Sequence, residues 1–211
     1  MQTPPRLPRA LPGFEHIKRA WDPAHQIYAA QLLPGEYYVT AADEMIVTLL
    51  GSCVSTCIRD PLRGIGGMNH FMLPVRQHTG PADWQPGMVQ AAACYGNYAM
   101  ELLINAILKH GGERTRLEMK IAGGGCMLAD MTDIGQHNVA FVHAYLRAEG
   151  LRLVAEDVGG VYPRKVYCRP RSGTVTIQKL RALRHDTRLS RERAYMRSLV
   201  RRPVQGDVEL F

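Results

Sequence analysis

Cys53 and His70 are the residues of this chain whose types and spacing could do covalent chemistry. They occupy the two arms of a predicted β-hairpin running from Thr48 to His70, with Asp60-Pro61-Leu62-Arg63-Gly64 as its turn. Cys53 lies nine residues before Leu62 and His70 eight residues after it, so a turn centred there sets a thiol against an imidazole. Facing residues on antiparallel strands have Cβ atoms roughly 5 Å apart. That is near enough for the ring to take the thiol proton and leave a thiolate nucleophile, suited to attack on a carbonyl or amide carbon.

Each residue also has a plainer reading. A buried cysteine commonly behaves as a small hydrophobe, and a histidine inside an apolar run such as Met68-Asn-His-Phe-Met-Leu73 is ordinarily a satisfied core residue. Two features favour chemistry. Gly51-Ser52 makes a bend poor in side chains just ahead of the cysteine, where backbone N–H groups of Gly51 and Ser52 can point at an oxyanion. His70 also falls at the matching cross-strand position. Strand alternation sends Asn69 to the opposite face, which makes it a poor partner for the imidazole. Thr48, on the strand before the bend, carries a hydroxyl that could fix the ring tautomer, although it serves equally as an ordinary β-strand threonine.

The elements that must position these residues follow from pattern. Met45–Leu50 and Cys53–Ile58 are rich in apolar and β-branched residues, and Gly64 to Leu73 continues after the turn, so all three read as core strands. Pro74 to Pro86, with Gly80 and Pro81, reads as a loop able to border a site. Met100, Leu103, Ile104, Ile107 and Leu108 recur at helical spacing until Gly111-Gly112 stops them, and Ile134 to Glu149 reads as a second helix closed by Gly150. Leu117 to Ala122, Leu151 to Val158, Arg164 to Cys168 and Thr174 to Ile177 complete the strands. Hairpins with two helices interposed predict a mixed α+β layered domain.

The 211 residues, 46% of them hydrophobic, suit one domain with a substantial core. No run approaches the ~18 apolar residues of a membrane span, and the first nine residues lack the apolar segment of a secretory signal, so a cytoplasmic protein is expected. Five scattered cysteines fit thiols in a reducing compartment, and no His or Cys spacing suggests a metal. Cys57 reads as packing. Gly123-Gly-Gly125 lacks the following Gly-Lys-Ser/Thr of a phosphate cradle, and is expected instead to rim the cleft. The net charge of +7 is concentrated between Arg181 and Arg202, where eight arginines face Asp186 and Glu192. Such a run could touch nucleic acid, lipid or an acidic partner, but reads more plainly as a solvated face. Neither specific nucleic-acid affinity nor membrane insertion is expected.

Taken in order, Gly51-Ser-Cys-Val54, Asp60-Pro61, Gly64-Ile-Gly-Gly-Met-Asn-His-Phe-Met-Leu-Pro74, Tyr95-Gly-x-x-Ala-Met100, Lys120-x-x-Gly-Gly124, Ile134-Gly-x-x-Asn138, Glu156-Asp-Val-Gly-Gly160 and Arg164-Lys-Val166 resemble the CheD family of bacterial chemoreceptor glutamine deamidases. The resemblance runs from about Tyr37 to Leu180, and departs from the usual pattern at Asn97, Ala122 and Cys168. It implies Cys53 as nucleophile, His70 as base and Thr48 as third member of a triad, with no cofactor. The fold it implies is α+β, with β-sandwich-like mixed sheets and flanking helices resembling the catalytic domain of deamidating bacterial toxins. The chain then divides into a Pro-rich leader and lead-in (1–36), a deamidase domain (37–180) and an Arg-rich tail (181–211). Expected partners are methyl-accepting chemoreceptors as substrate and a CheC-type phosphatase, and cleavage of receptor methyl esters is a conceivable side activity. The alternative is a non-catalytic chemotaxis regulator that binds receptors or such a phosphatase.

Overall fold

The computed structural model describes residues 4–73, 86–126 and 132–180. Among them the elements run β1 (Arg19–Asp22), β2 (Ile27–Gln31), β3 (Tyr37–Thr40), β4 (Met45–Leu50), β5 (Val54–Asp60), β6 (Ile65–Asn69), α1 (Pro86–Lys109), β7 (Glu118–Gly123), α2 (Thr132–Ala148), β8 (Arg152–Val158), β9 (Arg164–Arg169) and β10 (Thr174–Lys179). Two five-stranded sheets result, one ordered β1-β2-β4-β9-β10 and the other β3-β6-β5-β7-β8. Both are mixed, because β2 runs parallel to β4 and β7 parallel to β8 while the remaining pairs are antiparallel.

The burial patterns show how the layers stack. In β4, Ile46, Thr48 and Leu50 are buried while Val47 and Leu49 are less so, the alternation of a strand with one face on the core. β5 is buried at every residue but Arg59, as a strand covered on both faces must be. The first sheet covers one face of β5, and the helices cover the other. α1 packs on β3, β5 and β6, and α2 on β5 and β8. Met100, Leu103, Ile104 and Ile107 of α1 are fully buried, as their spacing predicts. Both helices end in a Schellman pattern. Gly112 N–H donates to Ile107 C=O and Gly111 N–H to Leu108 C=O, and Leu151 and Gly150 repeat the arrangement on Leu146 and Arg147. The α+β sandwich with flanking helices is therefore the architecture observed.

Two expectations change. The hairpin register runs Asp60↔Ile65 to Cys57↔Met68 and on to a bridge at Val54↔Phe71, which sets Cys53 opposite Met72 and His70 opposite Ser55. Thiol and imidazole thus share a face as diagonal neighbours and do not face each other directly, because the observed register places the partner of Cys53 two residues beyond His70, and a difference of two keeps both side chains on one face. Residues 14–36 are also more than a lead-in. β1 and β2 pair into the first sheet, and Phe14, Ile17, Ile27, Ala30 and Leu32 are buried in the core, Phe14 edge-on to Tyr37 and Tyr38 at 5.3 and 5.5 Å. The expected boundary at residue 37 cuts through that sheet. Residues 74–85 of the expected loop and all of 181–211, the Arg-rich tail, lie outside the described residues.

Candidate active site

Thr48 and His70 meet between the two sheets, and the register sets Cys53 diagonally across the hairpin from His70 on the same face. Alternation along β4 points Thr48 inward, and the hairpin brings His70 to it from the second sheet: Thr48 Oγ1 and His70 Nδ1 are 2.7 Å apart. Thr48 Oγ1 also lies 3.0 Å from the Leu32 carbonyl, to which it donates. A hydroxyl has one proton, so with that proton given to Leu32 the oxygen must accept from the ring. This fixes the proton on Nδ1 and leaves the Nε2 lone pair as the basic site. Among the described residues the buried Nε2 has no hydrogen-bond partner, and neither has the hydroxyl of Ser55, opposite His70 in register. His70 is held further by its backbone, whose N–H donates to Glu36 C=O and whose C=O accepts from Gly35 N–H. Burial alone pushes its pKa down to about 3, so the resting imidazole is neutral.

The cysteine sits on a bend whose carbonyls are all tethered. Gly51 C=O accepts from Gly125 N–H at 2.8 Å, Ser52 C=O from Asn138 Nδ2 at 2.8 Å, and Cys53 C=O from Gly124 N–H at 2.8 Å. The chain contains no cis peptide among the described residues, and a trans peptide points its N–H opposite to its C=O. The Ser52 N–H therefore points away from Gly125 and the Cys53 N–H away from Asn138. The cysteine side chain is fully buried, and so are Gly51 and Ser52.

Gly123–Gly125, expected at the rim, instead forms the buried wall behind the bend. The wall requires glycine. Gly123 and Gly124 have φ of +112° and +63°, and a Cβ on Gly124 would meet Val139 of α2 at 2.3 Å. A third glycine turn joins from the other side, with Cys126 N–H donating to Gly160 C=O and Gly159 N–H to Gly123 C=O. Arg164, almost wholly buried, braces that turn by donating to Asp157 Oδ1 at 2.7 Å and to the carbonyls of Tyr162 and Gly159.

Asn69 faces away from the site, as alternation requires, and accepts from Thr56 N–H at 2.8 Å. Cys57 lies farther along β5, where its thiol hydrogen-bonds to that of Cys168; this contact and burial raise its pKa, as suits a packed thiol and not a nucleophile. Asn138, visible in sequence only as one residue of a motif, proves to be the side chain that joins the bend to α2. Among the described residues no cluster of His, Cys, Asp and Glu could hold a metal ion, and no helix is long and apolar enough to cross a membrane.

The family model described as CheD chemotactic sensory transduction matches residues 72–179. A Halorhodospira halophila protein named probable chemoreceptor glutamine deamidase CheD is 54% identical over 205 residues, 97% of this chain and 94% of that one. Proteins of the same name from Saccharophagus degradans and Hahella chejuensis are 49% and 46% identical, over 98% and 100% of this chain and 95% and 98% of theirs. Among solved structures, a Neisseria meningitidis protein of the DUF152 family aligns with a TM-score of 0.36 and 10% identity over 59% of this chain and 53% of that one, too distant to bear on function.

Proposed function

The chain belongs to the CheD family, and from that membership and the buried Thr48–His70 pair beside Cys53 we propose that it is a chemoreceptor glutamine deamidase, a hydrolase that converts receptor glutamine side chains to glutamate. The observation that carries the catalytic assignment is the 2.7 Å contact between Thr48 Oγ1 and His70 Nδ1, which selects the tautomer with a basic Nε2.

In this reading His70 Nε2 takes the Cys53 proton as the sulfur attacks the amide carbon of the glutamine. The oxygen becomes an oxyanion, and backbone N–H groups of the Gly51–Cys53 bend are the donors assigned to it. The imidazolium then gives its proton to the departing ammonia, the C–N bond breaks and a thioester remains. Water, losing a proton to Nε2, attacks the thioester carbon and releases glutamate while the thiol is reprotonated. Because burial disfavours the imidazolium, the resting ring is neutral, and it takes up charge only when substrate supplies an oxyanion beside it.

The product carboxylate adds a negative charge to a receptor helix, where like charges three or four residues apart repel by a few tenths of a kcal/mol each and so shift signalling. The same acyl-enzyme with methanol as leaving group gives the receptor methylesterase side activity. A CheC-type phosphatase as binding partner and a cytoplasmic location belong to the same reading.

The test is incubation of the purified protein with receptor cytoplasmic fragments, followed by peptide mass mapping. The expected result is conversion of specific glutamines to glutamates with the receptor chain intact, abolished by Cys53→Ala. If Cys53→Ala modulates receptor signalling as well as the wild type does, the protein is a binding regulator and the enzymatic reading is wrong.

A further inference from the structure

Asn138 is fully buried on α2 and spends both ends of its amide on the two segments that flank the β5–β6 hairpin beside Cys53 and His70. Its Nδ2 donates to Ser52 C=O at 2.8 Å, and its Oδ1 accepts from Leu73 N–H at 2.8 Å. Ser52 immediately precedes Cys53, and Leu73 lies three residues after His70. One side chain thus spans from the nucleophile's bend to the end of the base's strand.

Geometry makes the Ser52 contact specific. The Ser52 carbonyl and the Cys53 N–H belong to one planar trans peptide, so fixing that oxygen fixes both the plane from which the Cys53 side chain departs and the direction of its N–H. The helix is brought close enough to do this by the absence of two side chains. A Cβ on Gly135 would meet the Gly124 carbonyl oxygen at 2.5 Å, and one on Gly124 would meet the Gly135 carbonyl oxygen at 2.8 Å. Gly135 lies three residues before Asn138, on the same face of α2, so the glycine contact sets the depth at which the asparagine enters.

We propose that Asn138 is a positioning residue for catalysis: it orients the Ser52–Cys53 peptide and locks it to the His70 strand, holding sulfur and imidazole in register. This rests on the assignment of Cys53 and His70 as nucleophile and base. It extends that assignment to a side chain of α2 that touches neither substrate nor the reacting atoms.

Two variants test it. Asn138→Ala removes both hydrogen bonds, whereas Asn138→Asp keeps an acceptor for Leu73 N–H and lacks the Nδ2 donor for Ser52. Three quantities are measured for each and for the wild type: melting temperature, kcat and KM for receptor glutamine deamidation, and the pH dependence of iodoacetamide alkylation of Cys53, followed on its own peptide. For Asn138→Asp the expected result is a kcat loss of about 10²-fold, as for an ångström-scale misplacement of a reacting group. KM stays within about twofold, and Cys53 alkylation shifts to higher pH in molecules that remain folded. The proposal is overturned if Asn138→Asp keeps the wild-type kcat and alkylation profile, or if activity falls only in proportion to the folded fraction. Should the wild type itself leave receptor glutamines unchanged while the variant still shifts Cys53 alkylation, the deamidase reading fails and the positioning role stands.

Discussion

The proposed chemistry turns on a single proton of Thr48. Because its hydroxyl donates to Leu32 C=O, it can only accept from His70, and the ring is held in the tautomer whose Nε2 carries the lone pair. Thr48→Val keeps the shape and removes that acceptor. We expect a kcat loss of about 10- to 100-fold, corresponding to roughly 1–3 kcal/mol for an unsatisfied buried group, with Thr48→Ser restoring most of the rate. The same burial that makes the bond matter displaces the pH profile. In the proposed mechanism the base is the neutral ring, and a pKa lowered from 6.5 to about 3 keeps it neutral as pH falls through 6.5. The acidic limb of kcat/KM in the wild type is therefore expected well below pH 6.5, and in Thr48→Val the limb should move with whatever Nδ1 partner the ring then finds. A wild-type limb centred at or above 6.5 would show that the ring is not held neutral. Stability follows the same sign: between 6.5 and 3 the unfolded chain takes a proton that the folded one refuses, so this contribution is lost as pH falls.

Among the elements, the β5–β6 hairpin has Cys53 and His70, the proposed reacting groups, at its open end, and its tip is fastened by a buried carboxylate. Asp60 accepts from the N–H groups of Leu62 and Arg63 within the turn, from Glu113 N–H after α1, and from the Arg116 guanidinium at 2.8 Å. The Arg116 bond, more than the backbone donors, pulls its pKa from 3.8 to about 2. The hairpin is thus tied to the segment that feeds β7, its other neighbour in the sheet. Asp60→Ala should cost about 2–3 kcal/mol by urea unfolding at pH 7, the scale of lost charge-assisted bonds. A carboxylate with a depressed pKa stabilises above its unfolded value and ceases to do so as pH falls through its folded value. The gap between wild type and variant should accordingly narrow at pH 3, and an equal gap at both pH values would mean that the charge plays no part.

At the scale of the whole molecule, the site exists only because two sheets are held at a fixed separation, with Thr48 on one and His70 on the other. A buried network pins them at one end. Glu44 receives Arg19 of β1 at 3.0 Å, and Tyr38 and Thr40 of β3 at 2.8 Å each. The desolvated Tyr38 hydroxyl has its pKa raised, as a buried phenol donating to a carboxylate should. Glu44→Ala would leave the Arg19 cation and the two hydroxyls buried without their acceptor, an expected loss of about 3–5 kcal/mol. Thermal unfolding monitored through both the aromatic signal and Cys53 alkylation checks this. If the sheets form one cooperative unit, both probes shift together; a shift in the aromatic signal alone would show that the site survives separation of the sheets at that end.

Much of this was legible in the residue order, and for a local reason. Strand and helix periodicity depend on neighbours a few positions apart, so the hairpin and both helices with their glycine stops could be read directly. Cys53 and His70 share a face for the same reason, since the observed register differs by two residues from one that pairs them directly, the direct partners being Met72 and Ser55. Contacts across layers had no such signature. Asn138 reaches Ser52 over 86 positions, and residues 14–36 join the core through a parallel pairing of β2 with β4 that no turn announces. Those features arise when sheets and helices stack to bury their apolar faces. That stacking, and not the local pattern, set which threonine meets the histidine and which asparagine holds the bend.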